Sequence, residues 1–304
     1  MTDLVYISGS GRSGSTLLER LLHADGRVFA AGELHVLWRL PPERITCSCG
    51  ARFADCGTWQ AILAASGLGD RLGELAALEA RVSRSGFLRR RGMRPERVLG
   101  EAEVMCFLEA QLALVAAIGA VTGKRVVVDS SKAGPRAFLL SCLDGPLFIH
   151  LRRDPGDVIA SWRSRKFDRG LGADMQRLSA ARAAEDWLKA EYFARAVGAR
   201  RPVAFVDYAG FCGAPRATLR AIEGRIGSRF DGVAWTGPAE FAPGAGYHSL
   251  NGNPDRFSQG PIDITHRAPD RAALSRGDRL AARVLGGLAG AMFPARGAAA
   301  VSER

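Results

Sequence analysis

Short apolar runs alternate along the chain with longer segments in which apolar residues recur at helical spacing. The apolar runs predict strands at 4–7, 28–31, 124–132, 147–153 and 202–208. The helical spacing predicts helices at 17–23, from 135 onward, at 155–162, 175–197, 215–226 and 271–292, and two or three helices within 60–123. Strands that alternate with helices of this length imply right-handed crossovers. We therefore expect an α/β fold of three layers, α/β/α, around a central, mainly parallel sheet.

The chain is predicted to form one domain over residues 1–304, because no internal repeat and no linker divides it. Residues of about 40–123 are expected to be a helical, cysteine-containing insert that covers the sheet or caps it. Residues of about 237–269 are rich in Gly, Pro and Asn. A loop of this length in a compact domain is usually functional or disordered, and we interpret this one as a lid loop.

A glycine-rich loop connects the first strand to the first helix. Its spacing fits G-x-x-x-x-G-K-[ST], except that Ser15 replaces the lysine. Glycines let several backbone amides converge on one point, and the following helix adds its positive end, so such a loop holds an anion. The missing lysine counts against an ATPase or kinase, while Arg12 offers a cation placed differently. The residues predicted to bind phosphate or sulfate are Gly11, Arg12, Ser13, Gly14, Ser15 and Thr16; an ordinary strand-to-helix turn is the alternative.

Polar residues also follow the other predicted strands, at the sheet edge where open α/β folds bind ligands. Glu33 and His35 come after the second strand and are the first candidates for proton transfer. Lys132 ends the third strand, where it could meet an anion. His150 lies inside an apolar strand and is expected to be a core residue.

The fourth predicted strand ends at Arg153 and is followed by a helix. Asp154 is a good N-cap and Pro155 a good first helical residue. Ser161 lies about two helical turns beyond the cap, so it can return toward the side of Arg153.

The formal net charge of +11 rests almost entirely on arginine, since the chain has four lysines. Arginine binds phosphate and sulfate through its planar, bidentate guanidinium, although a compositional bias toward arginine explains most of the excess. No basic helix, zinc-finger spacing or aromatic pattern indicates nucleic acid. No run of 18 apolar residues appears and the first strand begins at Leu4, so we expect a cytoplasmic protein without stable membrane association.

Three of the six cysteines lie close together, at Cys47, Cys49 and Cys56. They are possible zinc ligands, but the usual pair of C-x-x-C knuckles is absent and no fourth ligand stands out. We therefore assign no metal and expect structural thiols, with a metal site and a redox pair as the open alternatives.

Two of these motifs together resemble the sulfotransferases that use 3′-phosphoadenosine 5′-phosphosulfate (PAPS), in particular their bacterial and tyrosylprotein-type branches. The loop 11–16 is similar to the family's 5′-phosphosulfate loop. Arg153 and Ser161, eight residues apart, resemble the pair that holds the ribose 3′-phosphate. The resemblance covers about 1–35 and 124–210 well and implies PAPS as the donor, with the product PAP.

The resemblance also implies roles for residues beyond these motifs. Glu33 stands 21 residues after Arg12, the separation of a catalytic base in the tyrosylprotein branch. Apart from the resemblance, His35 is the second candidate for the base, because a positive site would keep it neutral, and His248 is the third. Lys132 is similar to a lysine that contacts the transferring group. Arg256 lies in a segment, 252–256, similar to a late cofactor-binding loop, although the lysine-glycine pattern of the cytosolic enzymes is missing.

We therefore expect in-line sulfuryl transfer to a hydroxyl of an acceptor, a small molecule or natural product by default. Arg12, the loop amides and Lys132 would stabilise charge on the leaving phosphate, and Glu33 would take the proton. One alternative is a small-molecule P-loop kinase that uses ATP and magnesium, with Asp129 as the metal ligand. The other is a non-catalytic nucleotide-binding protein. The sequence determines neither the acceptor nor the oligomeric state.

Overall fold

A computed structural model describes residues 2–168, 170, 172–272, 274–292 and 301–302 of the chain. The strands among these residues are β1 (Asp3–Gly9), β2 (Val28–Gly32), β3 (Val126–Lys132), β4 (Leu147–Arg152), β5 (Phe167–Asp168), β6 (Ala173–Asp174), β7 (Val203–Asp207), β8 (Glu240–Phe241), β9 (Ile262–Asp263) and β10 (Val301–Ser302). The α-helices are α1 (Ser15–His23), α2 (Val36–Arg39), α3 (Gly57–Ser66), α4 (Leu72–Val82), α5 (Ser85–Arg90), α6 (Pro95–Leu99), α7 (Ala102–Thr122), α8 (Gly134–Ser141), α9 (Pro155–Arg163), α10 (Ala180–Gly198), α11 (Tyr208–Gly213), α12 (Pro215–Ile226) and α13 (Arg276–Met292).

The central sheet has the strand order β10-β7-β4-β1-β3-β2 over the described ranges. The pairs from β7 through β2 are parallel, and β10 adds an antiparallel edge. Helices cover both faces, so the prediction of a three-layer α/β/α fold is confirmed. Because β1 lies between β3 and β4, the carboxyl ends of these three strands lie side by side. The register pairs Ser8 with Lys132 and Gly9 with Leu151 at that edge.

The side chains of β1 alternate between two hydrophobic cores, as the two-residue period of a strand requires. Leu4 and Tyr6 face the core that the insert helices complete. Val5 and Ile7 face the core formed with α1, α11 and α12. A third cluster joins α9, α10 and α13. The strand that precedes the glycine-rich loop is thus fixed from both sides.

Residues 57–122, all of which are described, form five helices, α3 to α7, so the expectation of two or three helices within 60–123 was wrong. The short helices α5 and α6 are separated by turns at glycine, where local periodicity is too brief to read. By length and composition alone, α7 could cross a membrane. The core helix of a globular protein meets the same criteria, and α7 buries ten residues, Phe107, Leu108 and Leu114 among them.

Two helix starts differ from the predicted ones by five residues. Helix α10 begins at Ala180 instead of 175, because Ser179 caps it by accepting from the Arg182 amide. Helix α13 begins at Arg276 instead of 271. The segment 237–269 contains β8, β9 and a 3₁₀ helix at Pro254–Phe257, and its action as a lid stays a prediction.

Candidate functional site

The glycine-rich loop passes between two aromatic rings that leave no room for side chains. A Cβ on Gly11 would lie 2.4 Å from the Trp162 ring, and one on Gly14 would lie 2.4 Å from the Tyr208 ring. Gly14 has a φ of 99°, which also favours glycine. The Gly14 carbonyl accepts from the first turn of α1, so the positive helix end faces the loop. A turn with this geometry can hold an anion.

A cavity of about 1010 Å³ extends from this loop along the carboxyl edge of the sheet. It brings together residues from the ends of β1, β2, β3 and β4, each of which was predicted separately to belong to a site. The predicted site residues that line it are Gly11, Arg12, Gly14, Ser15, Thr16, Glu33, Lys132, Arg153 and Ser161. Ser13, His35, His248 and Arg256 are not among the described residues that line it.

Arg12 lies over the face of Trp162, 4.8 Å from its guanidinium carbon to the ring centroid. Burial lowers the pKa of Arg12, and the nearby charges of Glu33 and Asp168 oppose that shift. Its Nε is buried without a hydrogen-bond partner among the described residues. An unsatisfied buried donor is costly unless a ligand accepts from it. An oxygen atom of a bound ligand would satisfy this donor.

Glu33 and Lys132 form an ion pair at the cavity wall, although they lie 99 positions apart. Lys132 ends β3 with a φ of 62°, and its Nζ also donates to the Ser130 carbonyl at 2.9 Å. The other carboxylate oxygen of Glu33 accepts from Asn251 Nδ2 at 3.0 Å. Glu33 is thus oriented through both oxygens, with a cation beside it.

His35 lies behind Glu33, with its Nε2 3.9 Å from Glu33 Oε2. Burial, together with the positive charges of Arg39, Lys132 and Arg136, holds the pKa of His35 well below its usual value. The imidazole is therefore neutral at pH 7. Its Nδ1 is buried without a partner among the described residues.

Arg153 connects the two predicted phosphate motifs. Its Nη1 donates to the Arg12 carbonyl at 3.2 Å, and its Nη2 donates to the Arg267 carbonyl at 2.9 Å. Asp154 caps α9 by accepting from Gly156 and Asp157, as predicted. Ser161, two turns along α9, lines the same cavity as Arg153.

Further polar residues of the cavity were not identified from the sequence, notably Lys166, Asn251 and Arg267. Lys166 precedes the hairpin β5–β6, and burial together with the charge of Arg12 lowers its pKa. It is one of four lysines in a chain dominated by arginine, which is a signal that could have found it. Nothing local marks Asn251, because its contact with Glu33 spans 218 positions.

Arg256, expected at the cofactor, occupies a buried ion pair instead. Its two terminal nitrogens donate to the carboxylate of Asp168 at 3.0 and 3.2 Å. Nη1 also donates to the Gly252 carbonyl at 2.9 Å. Both side chains are almost fully buried. The arrangement therefore does not support a direct cofactor contact from Arg256.

Asp129 does not line the cavity either. It is fully buried, accepts from the amide and hydroxyl of Ser131, and pairs with Arg136 at 3.1 Å. Arg136 in turn donates to Gln111 and lies 3.7 Å from Glu79. Asp129 is thus part of a buried charge network and not an open magnesium ligand.

His150 is also buried, with Ser8 and Glu191 at its two ring nitrogens, as expected of a core residue.

His248 lies among the three neighbouring cysteines. The ligand atoms of Cys47, Cys49, Cys56 and His248 all lie within 4.8 Å of one another. His248 is the fourth donor that the sequence analysis did not identify.

A sequence model that describes the sulfotransferase family matches residues 4–232. Among solved structures, the sulfotransferase domain from the Synechococcus PCC 7002 olefin synthase is similar, with 20% identity, 94% of each chain covered and a TM-score of 0.48. No curated protein matches the sequence.

Proposed function

The chain belongs to the sulfotransferase family, and we propose that it transfers the sulfuryl group of PAPS to a hydroxyl of a small acceptor molecule. The observation that carries the proposal is one cavity lined by Arg12, Lys132, Arg153 and Ser161, with the carboxylate of Glu33 among them. Family membership supports sulfuryl transfer. The donor, the acceptor class and the individual roles are our inference.

The residues fit a donor that carries phosphate at two positions. The glycine-rich loop and the amino end of α1 would hold the 5′-phosphosulfate, and Arg153 and Ser161 would hold the 3′-phosphate. The buried Nε of Arg12 has no hydrogen-bond partner among the described residues. The buried Nε of Arg153 has none either, although it lies 3.7 Å from the Asp157 carboxylate. Both arginines line the cavity, and anionic oxygens would satisfy these donors.

The chemistry requires stabilised charge on the leaving group and removal of one proton. PAPS supplies a sulfuryl group whose bond to the 5′-phosphate oxygen breaks as a bond to the acceptor oxygen forms. Arg12, Lys132 and the loop amides stabilise the charge that develops on the departing phosphate. Glu33, held by Lys132 and Asn251, accepts the hydroxyl proton. His35 is less suited to that role, because it does not line the cavity.

The size of the cavity supports a small acceptor. Pockets for drug-sized ligands range from about 300 to 1,000 Å³, and this cavity has about 1010 Å³. It therefore offers room for a nucleotide and a compact hydroxyl compound together. A kinase is disfavoured, since Asp129 is bound within the buried network around Arg136.

The test is calorimetric titration with PAP in the absence of magnesium, beside ATP with magnesium. We expect the wild-type protein and Arg90→Ala, which removes an exposed arginine of α5, to bind PAP alike. Arg153→Ala should weaken PAP binding by about 10- to 100-fold, the value of hydrogen bonds to a charged group. Binding of ATP with magnesium alone would overturn the proposal. Binding of PAP without sulfuryl transfer to any of a panel of phenols and alcohols would favour the non-catalytic alternative.

A further inference from the structure

Three cysteines of the insert and one histidine of the late loop form a compact cluster, and none of the four lines the main cavity. Cys47, Cys49 and Cys56 lie within ten residues of sequence, whereas His248 follows Cys56 by 192 positions. The fold brings the four ligand atoms within 4.8 Å of one another. All six cysteines lie in the described ranges and are free thiols.

Three of the six distances between ligand atoms in the cluster agree with the edges of a zinc tetrahedron. Zinc binds sulfur at about 2.3 Å and imidazole nitrogen at about 2.0–2.1 Å, which places two sulfurs about 3.8 Å apart and a sulfur and a nitrogen about 3.5 Å apart. The sulfurs of Cys49 and Cys56 are 3.8 Å apart. Nδ1 of His248 is 3.5 Å from the sulfur of Cys47 and 3.4 Å from that of Cys56.

The histidine ring is held in the orientation that a ligand needs. Nδ1 faces the sulfurs, and Nε2 lies 3.2 Å from the hydroxyl of Thr58. A metal-bound histidine characteristically donates its other N–H to an oxygen acceptor, which fixes both tautomer and ring position. The Thr58 hydroxyl oxygen would be that acceptor here. The His248 carbonyl accepts from Trp59 Nε1 at 2.8 Å, so the backbone is fixed as well.

The donor set selects the metal. Three thiolates and one imidazole are soft and borderline ligands, which suit zinc and disfavour magnesium or calcium. Four protein ligands close the coordination shell, as in structural zinc sites, and leave no open position for a substrate. We infer that Cys47, Cys49, Cys56 and His248 bind one structural zinc ion.

A bound zinc ion would hold the segment 248–251 in place, and this segment contacts Glu33. Beyond His248, the Leu250 amide donates to the Ala31 carbonyl at 2.9 Å, and the Leu250 carbonyl accepts from the Glu33 amide at 2.8 Å. Asn251, the next residue, donates to the Glu33 carboxylate. A zinc ion that links the insert to His248 would therefore fix the position of Leu250 and Asn251, which contact Glu33 at the cavity wall.

The test measures metal content and coordination directly, with no readout from transfer activity. Wild-type protein expressed in zinc-supplemented medium and dialysed against a weak chelator should keep about one zinc per chain. Replacement by Co²⁺ should give the intense visible bands and the sulfur-to-metal charge transfer of a tetrahedral thiolate site. Titration of the thiols with a mercurial should release the zinc, detected with a colorimetric chelator.

The variants separate ligands from other cysteines. Cys49 is exposed, so Cys49→Ser should fold and yet lose zinc at chelator concentrations that leave the wild type loaded. Thr58→Val should weaken zinc binding by about 10- to 100-fold, as loss of an outer partner does. Cys106→Ser, which changes a half-buried thiol of α7, should keep its zinc.

Two results would overturn the inference. One is wild-type protein that holds no zinc and carries a Cys49–Cys56 disulfide by mass spectrometry, which would make the cluster a redox pair. The other is zinc retained equally by wild type, Cys49→Ser and Thr58→Val. Because PAP binding is measured separately, failure of the zinc site leaves the proposed transfer reaction standing, and the reverse holds too.

Discussion

Arg153 donates a hydrogen bond from Nη1 to the backbone carbonyl of Arg12, at 3.2 Å. The contact joins the two motifs that the sequence placed 141 positions apart. The same guanidinium lies 4.5 Å from the ring centroid of Tyr208, against which Gly14 of the loop is packed. Arg153 thus has two functions in our proposal, binding the 3′-phosphate and holding the loop that binds the 5′-phosphosulfate.

Arg153→Lys should test the need for a planar fork as distinct from a positive charge. Lysine keeps the charge but cannot reach two carbonyls and a phosphate at once. We expect PAP affinity to fall by about tenfold, less than in Arg153→Ala. Calorimetric titration measures this, with Arg90→Lys as the control. Equal affinities for Arg153→Lys and the wild type would show that charge alone suffices.

Glu33→Gln should separate binding from proton transfer. The change removes a negative charge from an anion site and frees Lys132, so PAP affinity should stay equal or rise. The rate of sulfuryl transfer to a phenol or alcohol acceptor should fall by about 10²- to 10⁴-fold. Titration with PAP and single-turnover rates measure the two effects. Weaker PAP binding with an unchanged rate would assign Glu33 to binding and remove it as the base.

Much of the fold could be predicted because its signals are local. Helix α12 matches its predicted span of 215–226, since Pro215 starts an amphipathic segment and Gly227 follows it. The glycine-rich loop and the carboxyl ends of the strands could be predicted for the same reason. Helices α5 and α6 were missed, because each is shorter than two helical turns, too short for a clear period.

The missing parts of the site depend on contacts between distant residues. Asn251 reaches Glu33 across 218 positions, and His248 reaches Cys56 across 192. Arg256 was expected at the cofactor because its loop resembles a cofactor loop, but its guanidinium pairs with the buried carboxylate of Asp168. Periodicity and spacing carry no information about such partners, which depend on how loops pack after the sheet has formed.

The pair formed by Arg256 and Asp168 gives a direct test of the role of Arg256. Breaking a buried ion pair from either side costs about 3–5 kcal/mol. We therefore expect Arg256→Gln and Asp168→Asn to lower the free energy of unfolding by similar amounts and to change PAP affinity to the same small extent. Urea unfolding and calorimetry provide the two measurements. If Arg256→Gln weakened PAP binding far more than Asp168→Asn, Arg256 would be a cofactor ligand after all.

Gly14→Ala should damage the loop through backbone strain and a clash with Tyr208. A φ of 99° is strained for alanine, which costs about 1–3 kcal/mol, and the new Cβ would lie 2.4 Å from the ring. Unfolding in urea should show the loss, together with weaker PAP binding. Gly73→Ala is the control, because Gly73 is exposed within α4 with open space around it. Because Gly73 lies in the first turn of α4, that change should leave the free energy of unfolding unchanged or raise it slightly.

His23 should make stability depend on pH in the acidic range. Its ring is buried at the end of α1, and burial, with the charge of Lys124 as the next cause, lowers its pKa to about 4. The folded state keeps His23 neutral while the unfolded chain takes up a proton below about pH 6.5. The unfolded state therefore binds more protons between these values, and the free energy of unfolding falls as the pH drops from about 6.5 to 4.

The contribution of His23 should be about 1.4 kcal/mol per pH unit within that window. His35, whose pKa is also lowered, adds to the slope of the wild type. His23→Asn keeps an acceptor near the position of Nδ1, which lies 3.4 Å from the Ala30 amide, and removes the titration. Urea unfolding at half-unit steps of pH then measures how the free energy of unfolding depends on pH. The slope for His23→Asn should be smaller than that of the wild type by the equivalent of about one proton. Parallel curves for the two proteins would mean that His23 is protonated in the folded state as readily as in the unfolded chain.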